Sequence, residues 1–590
     1  MPRKVFKIEK KSKFAIFKID ILNYFILAIF LFSFFIIFKL YQIQIIEGQK
    51  YNEIVVAQNQ GYFTSDIKNR GNIFFHDKDD LVSVASQSYG YTLAVVPKNI
   101  QNKENVYNEI NSIVEIDKEN FFESLEKHKD WKEIKTKISE DIAKKIIEKN
   151  LRGVVLVKES WRIYPFGEIA SKVIGSLGYL NNDNSEIVGK YGLEKYYNDI
   201  LNRGEETKNR KIFDLFFKKN NIKTVFSSKK ISKEGDIISS IDIEVSRFVE
   251  KTLKNIDEKF DSEYSIAIIM KPESGEIIAM SDSRTIDFNT TKKYYINPFV
   301  ENKYEFGSIF KPVVASIGLE TKSIDKNFSY NDKGCVQVLN YSICNYDKEG
   351  RGENTNLQKI ITDSLNTGMV EIEKKIGHKA FFNFLLESGF GEETGIDLFD
   401  EVSTNFSSLS NFNDVNFATA SFGQGISFTP MGISRVLASL ANDGYLIDPH
   451  IIQRIEYGNL IPDTVFKSSK ERIFSENTNK IMKDMLIIRT DKTDSWKPFV
   501  NKDYSVAAKT GTAQMANLEG GYYEDKYLHS FFGFFPANTK AEDRYMILIF
   551  TKNPKDVTYS YKTLTEPFYN IMNFLISYYD IKPDRADLSF

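Results

Sequence analysis

The sequence predicts a multidomain α+β protein with a single N-terminal membrane helix, and three observations carry that expectation. At 590 residues the chain is too long for one hydrophobic core, so two or more domains are expected. Residues 21–38 form an almost unbroken apolar run. From about Gly235 onward, alternating strand-like segments interleave with stretches of helical period, as in a sheet covered by helices. A composition of 42% hydrophobic and 27% charged residues is that of a folded protein rather than a disordered one. The net charge of −2 supplies no general attraction to nucleic acid, and no such partner is expected.

The apolar run from Ile21 to Phe38 is interrupted only by Asn23, Tyr24 and Ser33. Its 18 residues would reach about 27 Å as a helix, close to the ~30 Å of a hydrocarbon core. The preceding tail, residues 1–20, carries Arg3, Lys4, Lys7, Lys10, Lys11, Lys13 and Lys18 against Glu9 and Asp20. By the positive-inside rule the tail stays cytoplasmic and everything after Lys39 is exported. A cleaved signal peptide is the alternative, but Phe34 to Tyr41 offers no small-residue cleavage site. No second run of this length follows, so a single-pass inner-membrane protein with an extracytoplasmic body is expected.

Residues 39–230 make the first exported region. Between Lys103 and Asn150 the chain is dense in Lys and Glu with apolar residues at helical spacing, which predicts amphipathic helices with solvated faces. A second domain is expected over 235–575, with a short tail at 576–590. Within it Glu244–Leu253 reads as a helix, and Ser265–Met270 with Glu276–Met280 as a hairpin turning at a Pro/Gly pair. Tyr504–Thr512, Ser530–Phe535 and Tyr545–Thr551 read as three further strands.

The only cysteines, Cys335 and Cys344, fall in the exported part. Folded as a hairpin turning at Leu339-Asn340, the segment would set them opposite each other, within disulfide reach in a compartment that permits the bond. Leu-Asn is not a favoured two-residue turn, so the pairing stands beside a reduced alternative. His76, His128, His378, His450 and His529 are scattered; no zinc pattern emerges, and neither metal nor cofactor is expected.

Chemistry enters at Tyr304-Glu305-Phe306-Gly307-Ser308-Ile309-Phe310-Lys311-Pro312. Ser308 and Lys311, three apart, share one helix face, a nucleophile beside a base. Pro312 lacks an N–H and is tolerated only near a helix start, which puts Ser308 at or just before the first turn. Backbone N–H groups are free there and favour developing negative charge. Downstream lie Ser364-Leu365-Asn366 and Lys509-Thr510-Gly511-Thr512.

In this order the three motifs, Ser-x-x-Lys, Ser-x-Asn and Lys-Thr-Gly, resemble the signature of the penicillin-binding proteins and serine β-lactamases. The chain as a whole resembles a class B penicillin-binding protein, a peptidoglycan transpeptidase. Arg70-Gly71-Asn72-Ile73, Arg162-x-Tyr164-Pro165-x-Gly167, Gly175 and Gly189-x-x-Gly192-Leu193-Glu194 are similar to elements of that family's non-catalytic pedestal. Phe422-Gly423-Gln424-Gly425 and Lys509 to Gln514 follow the catalytic part. Departures are Phe75-His76-Asp77-Lys78-Asp79-Asp80 in place of Asp-Arg-Asn-Gly, Ser240 for Thr, Phe306 for Pro and Ile309 for Thr.

The resemblance implies a five-stranded antiparallel sheet flanked by helices and an acyl-enzyme on Ser308. Lys311 must be neutral to serve as base, so burial or a nearby positive charge has to lower its pKa; Lys509 is expected to supply that charge. Ser364 is the expected proton relay to the leaving amine, and Asn366 the group that binds substrate and Lys311. By resemblance the oxyanion hole is the backbone N–H of Ser308 and of Thr512, while Lys509, Thr510 and Thr512 hold the terminal carboxylate of a D-Ala-D-Ala stem peptide or of a β-lactam. Gly511, lacking a side chain, would let a peptide pair closely with the strand. Ser364 to Val370 is similar to the run in division transpeptidases, which implies septal synthesis with a multi-span glycosyltransferase of the SEDS family and divisome proteins as partners. An elongation-type transpeptidase, a penicillin sensor or non-catalytic scaffold, and a hydrolytic β-lactamase stay open at this stage.

Overall fold

The computed structural model describes residues 21–42, 45, 63–64, 69–127, 131–179, 187–203, 234–285, 296–457, 462–517 and 520–585. The basic tail at 1–20, the expected end of the pedestal at 204–230 and residues 586–590 lie outside them. The apolar run is helical: α1 spans Ile21–Tyr41, with Phe30, Leu31, Phe34 and Ile37 exposed. Side chains are described only from Ile29 onward, and among the described residues no helix is long and apolar enough to cross a membrane.

The first long strands after α1 are β1 (Ile73–Asp77) and β2 (Asp80–Val95), joined by a tight turn in which Asp77 faces Asp80. The Asp77-Lys78-Asp79 departure from the family pattern is that turn, with Lys78 in the left-handed region at φ 57°. Next are α2 (Lys103–Asn111), α3 (Lys118–Lys127), β3 (Lys132–Ile138), α4 (Glu140–Glu148), β4 (Val154–Ile163) and the short α5 (Ser171–Ile174). The Lys/Glu-rich stretch is therefore not helical throughout. Lys132–Ile138 pairs antiparallel with the end of β2, Tyr91 opposite Ile138 and Val95 opposite Lys132. An available sheet edge overrides local helical spacing here.

The second half begins with β5 (Gly235–Asp242) and α6 (Ile243–Phe260). Asp242 caps α6 by accepting from Glu244 N and Val245 N, which satisfies two orphan donors. Then follow β6 (Tyr264–Met270), β7 (Ile277–Asp282), a 3₁₀ turn at Gly307–Phe310, α7 (Lys311–Glu320), β8 (Cys335–Val338), β9 (Tyr341–Cys344), α8 (Leu357–Asp363) and α9 (Asn366–Ile376). The chain ends with α10 (Pro430–Ala441), β10 (Ile452–Tyr457), α11 (Glu476–Lys492), β11 (Ala507–Ala516), β12 (Tyr522–Phe535), β13 (Tyr545–Lys552) and α12 (Ser560–Tyr579). The β11–β12 hairpin runs further than expected, because Gln514 to Ala516 pairs with the polar segment Tyr522 to Tyr527.

The chain divides into two compact units, residues 1–67 with 88–161, and residues 68–87 with 162–590. The first has its own core, in which Leu93, Val95, Ile110, Phe121, Ile138 and Leu156 pack together. The second is built on a five-stranded sheet of order β7–β6–β13–β12–β11, antiparallel throughout. Its strands alternate between two buried faces, as a period of two demands. Ala267 and Ile269 meet Val249, Leu253, Phe568 and Met572 of α6 and α12, while Ile266 and Ile268 meet the core around Ile309, Phe310 and Val313. At roughly 1.5–3 kcal/mol per fully buried aliphatic side chain, these two layers hold the sheet rigid. Strand β11 is left at its edge.

Within the same unit, β5 pairs parallel with β1 and antiparallel with β10. Three distant sequence segments also converge there. Glu194, fully buried, takes Arg70 Nε at 2.6 Å on one carboxylate oxygen and Arg162 Nε at 2.7 Å on the other. Arg162 Nη1 also donates to Gly71 O at 2.7 Å. The Arg-Gly, Arg-x-Tyr-Pro and Gly-Leu-Glu segments are thus three parts of one buried ion cluster.

Candidate active site

Ser308 sits in the 3₁₀ turn that runs directly into α7, with Pro312 at the second position of the helix. The turn is held from two sides. Gly307, at φ 60°, donates its N–H to Gly423 O at 3.1 Å, and a Cβ at Gly423 would stand 2.2 Å from Gly307 O. The Phe-Gly-Gln-Gly segment is therefore the bed on which the nucleophile turn lies. On the other side Ser530 Oγ donates to Phe306 O at 3.0 Å, a support that no sequence motif announced.

Lys311 is fully buried. Its Nζ donates to Ser364 O at 2.5 Å and Asn366 Oδ1 at 2.7 Å, and it lies 3.2 Å from Ser364 Oγ. Lys509, also fully buried, donates to the same Ser364 hydroxyl at 2.9 Å and to Thr510 O at 2.7 Å. Two lysines thus converge on one serine oxygen. Ser364 is presented in the left-handed region at φ 58°, ψ 46°, as the cap that ends α8. For a non-glycine residue that conformation is a strain of the kind found at functional sites. Asn366 is fixed from behind, since its Nδ2 donates to Cys344 O at 2.9 Å. Cys335 and Cys344 are joined as a disulfide across β8 and β9. The hairpin accommodates Leu339 at its turn by placing it at φ 49°.

Burial pushes the Lys311 amine well below its ordinary value, and the Arg489 guanidinium adds to that shift. The assisting charge that bears on Lys311 is thus Arg489 of α11, where the sequence expectation named Lys509. Lys509 is itself pushed well down by burial, then by Arg489 and Lys311. A neutral Lys311 keeps two N–H donors, which Ser364 O and Asn366 Oδ1 absorb. Its lone pair is then free for a hydroxyl proton. Among the described residues no hydrogen bond joins Ser308 to Lys311, so the direct contact expected from their spacing is not made; catalytic contacts often tighten only with substrate bound.

A cleft of about 730 Å³ opens over these groups, lined by Ser308, Ser364, Asn366, Arg489, Thr510 and Thr512 among others. Thr510 Oγ1 accepts from Arg489 Nη2 at 3.2 Å. Thr512 Oγ1 is engaged by the start of α12, accepting from Ser560 N and donating to Ser560 Oγ, both at 3.1 Å. Gly511 has a packing reason of its own. A Cβ there would stand 2.5 Å from Phe306 O and 2.4 Å from Ser530 Oγ. The missing side chain serves the approach of β11 to the nucleophile turn. His529 is the cross-strand partner of Thr512, yet its ring is held by Thr563 Oγ1 and Thr558 O and lies off the cleft. Among the described residues no three or more His, Cys, Asp or Glu side chains form a group that could hold a metal ion.

Chemically this is a serine site in which a buried lysine stands where histidine serves in other acyl-transfer enzymes. A family model described as "Penicillin binding protein transpeptidase domain" matches residues 265–573, and one described as "Penicillin-binding Protein dimerisation domain" matches 67–238. Stage V sporulation protein D of Bacillus subtilis is 30% identical over 523 residues, covering 86% of this chain and 78% of that protein. Peptidoglycan D,D-transpeptidase FtsI of Buchnera aphidicola subsp. Schizaphis graminum is 28% identical over 527 residues, covering 85% of this chain and 87% of its own. The crystal structure of penicillin-binding protein 2X from Streptococcus thermophilus shares the fold with a TM-score of 0.69 at 20% identity, over 87% of this chain and 80% of that one. The chain belongs to the penicillin-binding protein transpeptidase family, as a class B member in which a dimerisation-type domain precedes the catalytic one.

Proposed function

We propose that the protein is a peptidoglycan D,D-transpeptidase of the division type, with Ser308 as nucleophile. The observation that carries this is the convergence of two buried lysines on Ser364, in the cleft that Ser308 also lines. Ser308 Oγ attacks the penultimate D-Ala carbonyl of a stem peptide while neutral Lys311 takes its proton. Ser364 passes a proton to the departing D-Ala amine. The amine of a neighbouring stem peptide then displaces Ser308 from the acyl-enzyme and completes the cross-link. The oxyanion rests on the backbone N–H groups of Ser308 and Thr512, a donor worth ~3 kcal/mol of barrier. Asn366 orients Lys311, and the free edge of β11 offers the peptide a strand to pair with. β-Lactams acylate the same serine.

In this reading residues 21–38 anchor the protein in the cytoplasmic membrane, residues 39–230 form the pedestal and 235–575 the catalytic domain. The exposed apolar face of α1 supports the anchor, since such a surface calls for a non-aqueous covering. A SEDS-family glycosyltransferase and divisome proteins are its membrane partners. A fluorescent penicillin should label the wild type covalently and leave Ser308→Ala unlabelled at an unchanged melting temperature. Labelling that survives the substitution refutes the assignment, and deacylation within seconds would mark a hydrolase. The 30% identity to a stage V sporulation protein favours a second reading, cross-linking during sporulation. Depletion separates the two: filaments without septa indicate division, whereas normal division with defective spores indicates the other.

A further inference from the structure

Arg489 is a buried cation whose one role so far is to help lower the Lys311 amine. Only 5% of it is exposed, it lines the cleft, and no carboxylate among the described residues forms an ion pair with it. Its guanidinium lies 4.3 Å from the Trp496 ring centre, and Nη1 donates to Ala508 O at 3.3 Å. The buried Nε has no acceptor. Burial drags even this strong base down to about 10. A buried charge without a counter-charge is costly unless something pairs with it, and here the open side is the cleft.

The neighbouring groups narrow what that partner is. Of the three side chains expected to hold the substrate carboxylate, Lys509 is spent on Ser364 and on Thr510 O. The Thr512 hydroxyl is spent on Ser560. Thr510 alone keeps its hydrogen. Its oxygen accepts from Arg489 Nη2, so the O–H has to donate elsewhere, and Thr510 faces the cleft.

We propose that Arg489 is a positioning residue for donor recognition: by occupying the Thr510 oxygen it turns the hydroxyl towards the terminal carboxylate of the donor stem peptide, and it supplies the positive charge that carboxylate lacks. The proposal rests on the transpeptidase reading. It predicts selectivity for a carboxylate over a neutral terminus, which neither a purely structural arginine nor one acting only on Lys311 would confer.

The test uses two D-Ala thioester probes that acylate Ser308, one ending in a free carboxylate and the other in the corresponding amide. Arg489→Gln should lower kcat/KM for the carboxylate probe roughly 10- to 100-fold, the range of one charge-assisted hydrogen bond, chiefly through KM. Compared on the pH plateau above the Lys311 limb, where the shift of that lysine no longer matters, the amide probe should change less than about twofold on the same reasoning. Arg489→Lys, which keeps the charge without the fork, should recover part of the loss. Thr510→Val should reproduce the selective loss, and the double variant should add little to either. It also provides the readout if Arg489→Gln fails to fold. Equal losses on both probes, or fully additive losses in the double variant, would overturn the role of Arg489. A wild type acylated by neither probe would overturn the transpeptidase reading itself.

Discussion

Gly511→Ala isolates the role the structure gives that glycine. The added Cβ would stand 2.4 Å from Ser530 Oγ, 2.5 Å from Phe306 O and 3.1 Å from Ile309 N. The Phe306 contact falls short of an ordinary separation of 3.4 Å by about 0.9 Å. Ser530 can rotate away, but only by giving up its bond to Phe306 O, worth about 1 kcal/mol. The two backbone atoms flank Ser308, so either β11 or the nucleophile turn has to move, and such overpacking costs ~1–3 kcal/mol. Together the protein should lose about 2–4 kcal/mol, a fall of several degrees in Tm. A misplacement near 1 Å at a reacting centre costs about 100-fold in rate. The assay pairs a thermal melt with the second-order rate of acylation by a small fluorescent penicillin. Unchanged melting with unchanged acylation would refute the packing argument. Unchanged melting with lost acylation would return Gly511 to the substrate side of the strand.

Lys311 carries the pH prediction. Its amine is pushed well below 10.5 by burial and Arg489, so the acylation rate should rise with pH through that lowered value, and Arg489→Gln should move the limb upward; a limb at the ordinary lysine value would contradict this. Between the native value and 10.5 the unfolded chain holds the extra proton, so the lysine's contribution to stability should improve as pH rises. Replacing both Cys335 and Cys344 by Ala should lower stability by about 2–3 kcal/mol for a loop this short and slow acylation, because Cys344 O anchors Asn366; in the unfolded, unreduced wild type neither cysteine should alkylate. Glu194→Gln leaves two buried arginines without their carboxylate and should cost about 3–5 kcal/mol, whereas a melt within a degree of wild type would show that the cluster is not the tie between its three segments.

Ser308, Lys311, Ser364, Asn366 and Lys509 stood out in the chain as members of three short motifs, and hydrogen bonds join Lys311, Ser364, Asn366 and Lys509 in the fold, while the Ser308–Lys311 contact implied by their spacing is not made. The strands read at Ser265 to Met270 and Tyr545 to Thr551 were legible because burial on both faces leaves a nearly continuous apolar run. Where a segment's partner is distant, local pattern misled: Lys132–Ile138 became a strand only because the end of β2 offered it an edge. Gly511 shows its packing role only when Phe306 and Ser530, remote in sequence, are found against it. Arg489 carries no motif at all. Its influence on Lys311 and Thr510 follows from burial and from separations of a few ångströms, and an electrostatic field in a low-dielectric interior depends on distance through space, which only the packing of α11 against β11 decides.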